Sequence, residues 1–192
     1  MQLQTNPRTY TPEEYLKLEE QAEYKSEYRD GKIIPMRGTT DHNEISGNFY
    51  AGLKFGLRKQ GYRVYIADVR LWISRDRVYT YPDVMLIQSE PIYADKGTTT
   101  VMNPVLIAEV LSPSTQNYDQ GDKFAYYRSI PEMQEYILIS QKRYHVMQHT
   151  KTEAGWLLAE YETEDAVIKL ASVNLEIELS DLYTGVDFSK TE

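Results

Sequence analysis

Glu109 makes the heaviest demand on its surroundings. It interrupts the apolar run Val105 to Leu111, which reads as a central strand buried on both faces. Alternation places Val105, Ile107 and Leu111 on its own side of that strand. A carboxylate in such company is costly unless it is paired, protonated or metal-bound. A buried ion pair with an arginine is one solution. A second carboxylate offers another. Asp83 follows Tyr81-Pro82 and opens the apolar run Val84 to Ile87; taken alone it is a common turn or strand-start aspartate. It precedes Glu109 by 26 residues, on a strand able to lie beside that of Glu109. Two carboxylates meeting there repel each other and are best tolerated around a hard divalent cation, Mg²⁺ or Mn²⁺, with the backbone carbonyl of Val110 as a third oxygen ligand. Such an ion activates water and polarises a phosphoryl oxygen, which is the chemistry of phosphodiester hydrolysis. A positive group is the remaining requirement. The position two after Glu109 is Leu111, and the next lysine downstream is Lys123. Lys123 also has i,i+4 spacing from Asp119, the pattern of an ordinary helix pair.

Weaker candidates surround these. His42 sits at a helix start, where it can bond a phosphate or a carboxylate, in a supporting role rather than as a direct ligand. Glu44 stands in capping-box spacing from Asp41. His145 and His149 fall in a strand-like segment, where i,i+4 spacing does not make a zinc pair. Gly47, Gly52 and Gly56 recur on one predicted helix without a phosphate-loop Lys-Ser pair, so they indicate close packing.

The elements that position these residues are legible in outline. Thr11, Pro12 and Glu14 give a capped helix to about Gln21. Asp30-Gly31 joins a hairpin, Tyr24 to Arg29 and Lys32 to Met36. Ile45, Phe49, Leu53 and Leu57 recur every four residues and mark a second helix, ended near Gly61. Tyr62 to Trp72 and Val78 to Ile87 read as paired strands around Ser74-Arg75-Asp76-Arg77. Gln88 to Asn103 reads as a long loop. After the Glu109 strand, Ser112-Pro113-Ser114-Thr115 breaks the chain, and a helix from Asp119 to Ser129 is predicted. Strands at Glu135–Ile139, Tyr144–His149, Trp156–Tyr161 and Ala166–Leu170 close as a meander, with a helical turn at Leu179–Tyr183. The class is α+β, a mixed α/β sheet flanked by helices.

Composition bounds the rest. The chain has 192 residues and no cysteine, which excludes thiol catalysis and disulfides and suits the cytoplasm. No apolar run is long enough to span a membrane, and Met1 to Thr9 lacks a signal core. The 21 basic and 29 acidic residues give a net charge of −8, so long-range attraction to DNA is absent and a cation must cancel charge locally. Seventeen tyrosines fit core and interface packing better than a stacking platform. One domain over residues 10–185 is expected, with 1–9 and 186–192 loosely held.

Tyr81-Pro82-Asp83-Val84, Glu109-Val110-Leu111-Ser112-Pro113-Ser114-Thr115, Asp119-Gln120-Gly121-Asp122-Lys123 and Glu135-Tyr136-Ile137-Leu138-Ile139 together resemble the bacterial Uma-two family. These are restriction-endonuclease-like proteins of the PD-(D/E)XK superfamily. The resemblance extends to the helix opening Thr11-Pro12-Glu13-Glu14-Tyr15, the Glu27-Tyr28-Arg29-Asp30-Gly31 hairpin and the His42 helix start. It implies a restriction-endonuclease-like core with a metal between the motif carboxylates. Asp83 takes the aspartate of the Pro-Asp motif and Glu109 the second acidic position. The motif lysine is absent at Leu111, and the family pattern implies that Lys123 supplies the charge. Glu27 and Glu44 match acidic positions of the N-terminal blocks, within reach of the metal or its supporting contacts.

Two readings follow. The first is a Mg²⁺-dependent DNA endonuclease using Asp83, Glu109 and Lys123. The second is a non-catalytic module on the same fold, acting through homodimers or protein partners; a dimer is the expected assembly. An acid–base hydrolase acting on sugar with the same two carboxylates is a third, which nothing else in the sequence favours.

Overall fold

The computed structural model describes residues 8–36, 38–112 and 116–190. Helix α1 (Pro12–Glu19) starts on a reciprocal cap. The Thr11 hydroxyl accepts from the Glu14 amide at 3.1 Å, and Glu14 accepts from the Thr11 amide at 2.8 Å. Its buried Tyr15 stacks on Tyr28 and Tyr79, with ring centres 5.4 and 5.5 Å apart. Strands β1 (Ser26–Arg29) and β2 (Lys32–Pro35) are joined by Asp30-Gly31. Both turn residues have positive φ, 49° and 74°, the backbone that keeps a two-residue hairpin in the natural strand twist.

Helix α2 (Thr40–Gly56) has its cap two residues before the expected Asp41. Thr39 is the cap, accepting from the His42 amide at 3.1 Å. Asp41 instead lies in the first turn, where its charge favours the helix dipole. Two of the three glycines on α2 permit close packing: a Cβ on Gly52 would lie 3.5 Å from Ile177, and one on Gly56 would lie 2.5 Å from Leu175. Nothing crowds Gly47.

The two long strands expected next are each broken. The first becomes β3 (Tyr62–Ile66) and β4 (Arg70–Ile73); the second becomes β5 (Val78–Thr80) and β6 (Val84–Gln88). Ala67 adopts φ 49°, and its amide bonds the Asp83 carbonyl at 3.0 Å. Beside Asp83, Pro82 has no N–H to give a ladder. The bent hairpin therefore leaves one sheet and enters another: β3 pairs with β6, and β4 with β5. The expected long loop contains β7 (Thr100–Val101), which adds parallel to β4.

Strand β8 (Leu106–Leu111) is wholly buried. It runs parallel to β9 (Glu135–Ser140), which requires a crossover connection. That crossover holds α3 (Gln116–Tyr118), a π-helical turn (Asp119–Lys123) and α4 (Phe124–Tyr127). A single helix from Asp119 to Ser129 was the sequence expectation; the helical path starts earlier and widens where the candidate lysine sits. Strands β10 (Val146–Thr152) and β11 (Gly155–Tyr161) complete the meander. The hairpin β12 (Val167–Leu170) and β13 (Leu175–Glu178) leads into α5 (Leu179–Leu182).

The central sheet has the order β11-β10-β9-β8-β6-β3, and a second sheet has the order β2-β1-β5-β4-β7. Each is mixed, as the α+β expectation requires. One face of the central sheet packs Val84, Leu106, Ala108 and Val110 against Ile45, Phe49 and Leu53 of α2. The other packs Met85, Ile107 and Leu111 against Tyr127, Ile130 and Met133. Val105 precedes β8 and joins the first face, contrary to the simple alternation. Val186 and Phe188 also pack on that first core. Residues 1–7, 113–115 and 191–192 lie outside the described residues. Among the described residues, no helix is long and apolar enough to cross a membrane.

Candidate active site

Antiparallel pairing of β6 with β8 sets Val84 opposite Ala108. One residue beyond that pair, Asp83 precedes β6 and Glu109 follows Ala108, close enough that the Asp83 charge acts on Glu109. Asp83 sits at the bend where the hairpin changes sheets, so its carboxylate turns back over the end of β8. Its Oδ2 accepts from the Val110 amide at 2.8 Å. The same oxygen lies 3.0 Å from Nε2 of His42, brought there by the first turn of α2. Burial alone would depress the His42 pKa, but the hydrogen bond and charge of Asp83 outweigh it and raise it. The helix start is itself fastened: Thr39 donates to Gln141 Oε1 at 2.7 Å, and Gln141 Nε2 donates to the Leu111 carbonyl at 2.9 Å.

Glu109 is 3 % exposed and its partner is Lys123, not an arginine. Lys123 Nζ lies 2.9 Å from Glu109, 3.2 Å from Glu27 and 3.5 Å from Asp119. The wide turn of the crossover directs both Asp119 and Lys123 inward, and both are buried. Tyr127 donates to Glu109 Oε1 at 2.5 Å, and Thr80 donates to Glu27. Tyr136 holds the Asp119 carbonyl at 3.0 Å. Burial would push the Lys123 ammonium down, yet Glu109, Glu27 and Asp119 together hold its pKa well above the usual lysine value. Burial drives the Glu109 carboxyl well up; Lys123 opposes that shift, while Asp83 and Asp119 add to it.

Asp83, Glu109, Val110, Lys123, Glu27 and His42 are thus brought into one contiguous group. Glu44 is not: it is exposed, and its carboxylate lies beside Gly185. Asp119, Tyr127 and Thr80 were missed as site residues. In the sequence Asp119 stands only as the helix partner of Lys123 and the opening residue of a motif block, and the two hydroxyl groups carry no sequence signal of their own. His149 packs tilted against Phe124, with ring centres 4.4 Å apart, and binds no carboxylate among the described residues. His145 lies 3.0 Å from Glu160 and 4.0 Å from Glu162 on the outer strands, the one His/Asp/Glu trio among the described residues close enough to share an ion.

A family model described as "Putative restriction endonuclease", Uma2, matches residues 12–181. The chain belongs to the Uma2 family. Two uncharacterized proteins of Synechocystis sp. (strain ATCC 27184 / PCC 6803 / Kazusa) are similar over nearly their whole length. The protein sll1609 is 40% identical over 177 residues, covering 91% of this chain and 100% of the relative. The protein slr1290 is 33% identical over 180 residues, covering 93% of each. A crystal structure from Anabaena variabilis ATCC 29413, described as "a putative nuclease belonging to DUF820", superposes with a TM-score of 0.74. Its identity is 22%, and the match covers 91% of this chain and 97% of that one. That likeness establishes the shared fold of this Uma2 member.

Proposed function

We propose that this Uma2 protein is a divalent-metal-dependent endonuclease that hydrolyses phosphodiester bonds of DNA. The observation that carries this reading is the nearness of Asp83 and Glu109 where β6 meets β8, with Lys123 beside Glu109. The donor chemistry suits a hard ion: Glu27, Glu109 and Asp119 surround one ammonium, and Asp83 holds one imidazole beside them. Oxygen ligands with excess negative charge select Mg²⁺ or Mn²⁺ over zinc. Asp83 and Glu109 would hold the ion, with the Val110 carbonyl as a third donor. A bound ion would supply an acidified water and a polarised phosphoryl oxygen.

The chain's own groups do the remainder. Lys123, kept charged by its three carboxylates, presents fixed positive charge where phosphate charge develops. Tyr127 and Thr80 fix the orientation of Glu109 and Glu27. His42 and the Val110 amide hold Asp83 in one rotamer, so little reorganisation is left for the bound state.

The test is cleavage of supercoiled plasmid and single-stranded DNA with Mg²⁺ or Mn²⁺. Asp83→Asn and Glu109→Gln are expected to lose at least about 100-fold in rate. Wild-type protein that cleaves no better than Asp83→Asn would overturn the reading. A second reading, a non-catalytic module acting through a second copy or a protein partner, has one observation in its favour: Lys123 and Tyr127 already occupy the same Glu109 oxygen. It predicts no rise in melting temperature on adding Mn²⁺, whereas a native-state ligand must stabilise, by about 2.7 kcal/mol at a hundredfold excess over Kd.

A further inference from the structure

The β1–β2 hairpin delivers more than Glu27. Alternate residues of a strand share a face about 6.7 Å apart, so Arg29 follows Glu27 outward on the same side. Lys32 is the cross-strand partner of Arg29 and shares that side. Facing them is Tyr118, the residue before Asp119. The guanidinium carbon of Arg29 lies 3.4 Å from the centre of the Tyr118 ring, and the Lys123 ammonium lies 5.9 Å from the same centre. An open hollow of about 430 Å³ separates the hairpin from the crossover helix, bordered by Arg29, Lys32, Asn117 and Tyr118. Asp30 and Asp122 also border it, so it is not a general sink for anions.

Two polar atoms in this wall lack partners. Nη1 of Arg29 and the hydroxyl oxygen of Tyr118 are out of solvent with no hydrogen-bond partner among the described residues. Both can donate, and neither makes a bond of full hydrogen-bond geometry, although the Arg29 guanidinium lies near enough to the Tyr118 hydroxyl to favour its oxygen as an acceptor. Such orphan groups call for an explanation, and an absent ion or ligand is one of the standard ones. Two unmatched donors beside a further cation suit a tetrahedral anion with several acceptor oxygens.

We propose that Arg29, Tyr118 and Lys32 form the seat for a backbone phosphate of the bound DNA strand, flanking the phosphate attacked at the carboxylates. This rests on the nuclease reading, because Glu27 and Lys123 link the seat to the acidic centre. The seat positions the strand and takes no part in bond breaking.

The probe is a fluorescein-labelled single-stranded DNA oligonucleotide, titrated with the full chain in Ca²⁺ over a range of salt concentrations. Arg29→Met should raise Kd roughly tenfold and reduce the slope of log affinity against log salt by about 0.7, the loss of one phosphate contact. Tyr118→Phe removes one oxygen and keeps the ring; it should raise Kd roughly 3–10-fold and leave the slope unchanged. Arg29→Lys should restore the slope. Both Arg29→Met and Tyr118→Phe should keep the Mn²⁺-induced rise in melting temperature, which a disturbed acidic centre would lose. Wild-type affinity and slope in both variants would overturn the seat and leave the nuclease reading standing on its own cleavage test. Wild-type protein that neither binds nor cleaves DNA would overturn both.

Discussion

Asp83 and Glu109 lie close enough for one charge to act on the other, yet each carboxylate is answered by a different side chain: His42 holds the first and Lys123 the second. The ammonium is therefore a structural requirement as well as a chemical one. In metal-free protein, Lys123→Met should cost about 3–5 kcal/mol, because it strands three buried carboxylates. Adding Glu109→Gln should recover about 1–3 kcal/mol of that loss. Urea unfolding in EDTA measures both. A Lys123→Met cost below about 1 kcal/mol would show that the cluster is more hydrated than its burial indicates.

Glu135 is a second buried acid with a different task. Its carboxylate accepts from the Ala171 and Ser172 amides at 3.1 and 3.0 Å, from the Ser172 hydroxyl at 2.6 Å, and from Gln148. It pins the turn between β12 and β13 to the start of β9. Glu135→Gln should lower stability by about 2–3 kcal/mol through lost charge-assisted bonds, with no change in the metal-dependent rise in melting temperature. The urea midpoint reads the first effect, and a Mn²⁺ titration reads the second.

His149 should make stability fall toward acid. Burial between Phe124 and Tyr136 lowers its pKa, so the unfolded chain takes up a proton first, near pH about 6.5. The neutral ring's contribution is complete above that value and declines as pH falls from it toward the depressed folded value. His149→Phe keeps an aromatic ring in the stack but cannot titrate. Its melting temperature relative to wild type should therefore rise between about pH 7.5 and pH 5. A constant difference across that range would refute the assignment.

Much of this was legible because it rested on strong local signals. The apolar run around Glu109 could only be a doubly covered strand, and Thr11, Pro12 and Glu14 define a helix start without help from tertiary structure. The breaks at Ala67 and Pro82 were hidden, because Tyr62–Trp72 and Val78–Ile87 each keep strand-like composition through the bend. What breaks them is the need to serve two sheets, a long-range demand. Thr39 was passed over as a cap in favour of Asp41, since both residue types cap well and only the backbone decides between them. Asp119, Lys123 and Tyr127 share one helical stretch at spacings of four, but Glu27 and Thr80 reach that stretch from β1 and β5, and no spacing encodes their arrival.

The four acids come from both sheets, from the bend between them and from the β8–β9 crossover, and a single nitrogen touches three. Lys123 thus works as a clasp: the layers cannot part without returning desolvated charge to an unmatched state. Occupancy of the acidic centre and docking of the hairpin lobe are then one thermodynamic quantity. Whatever tightens the centre will slow amide exchange in β1 and β2, at backbone groups that never meet the ligand.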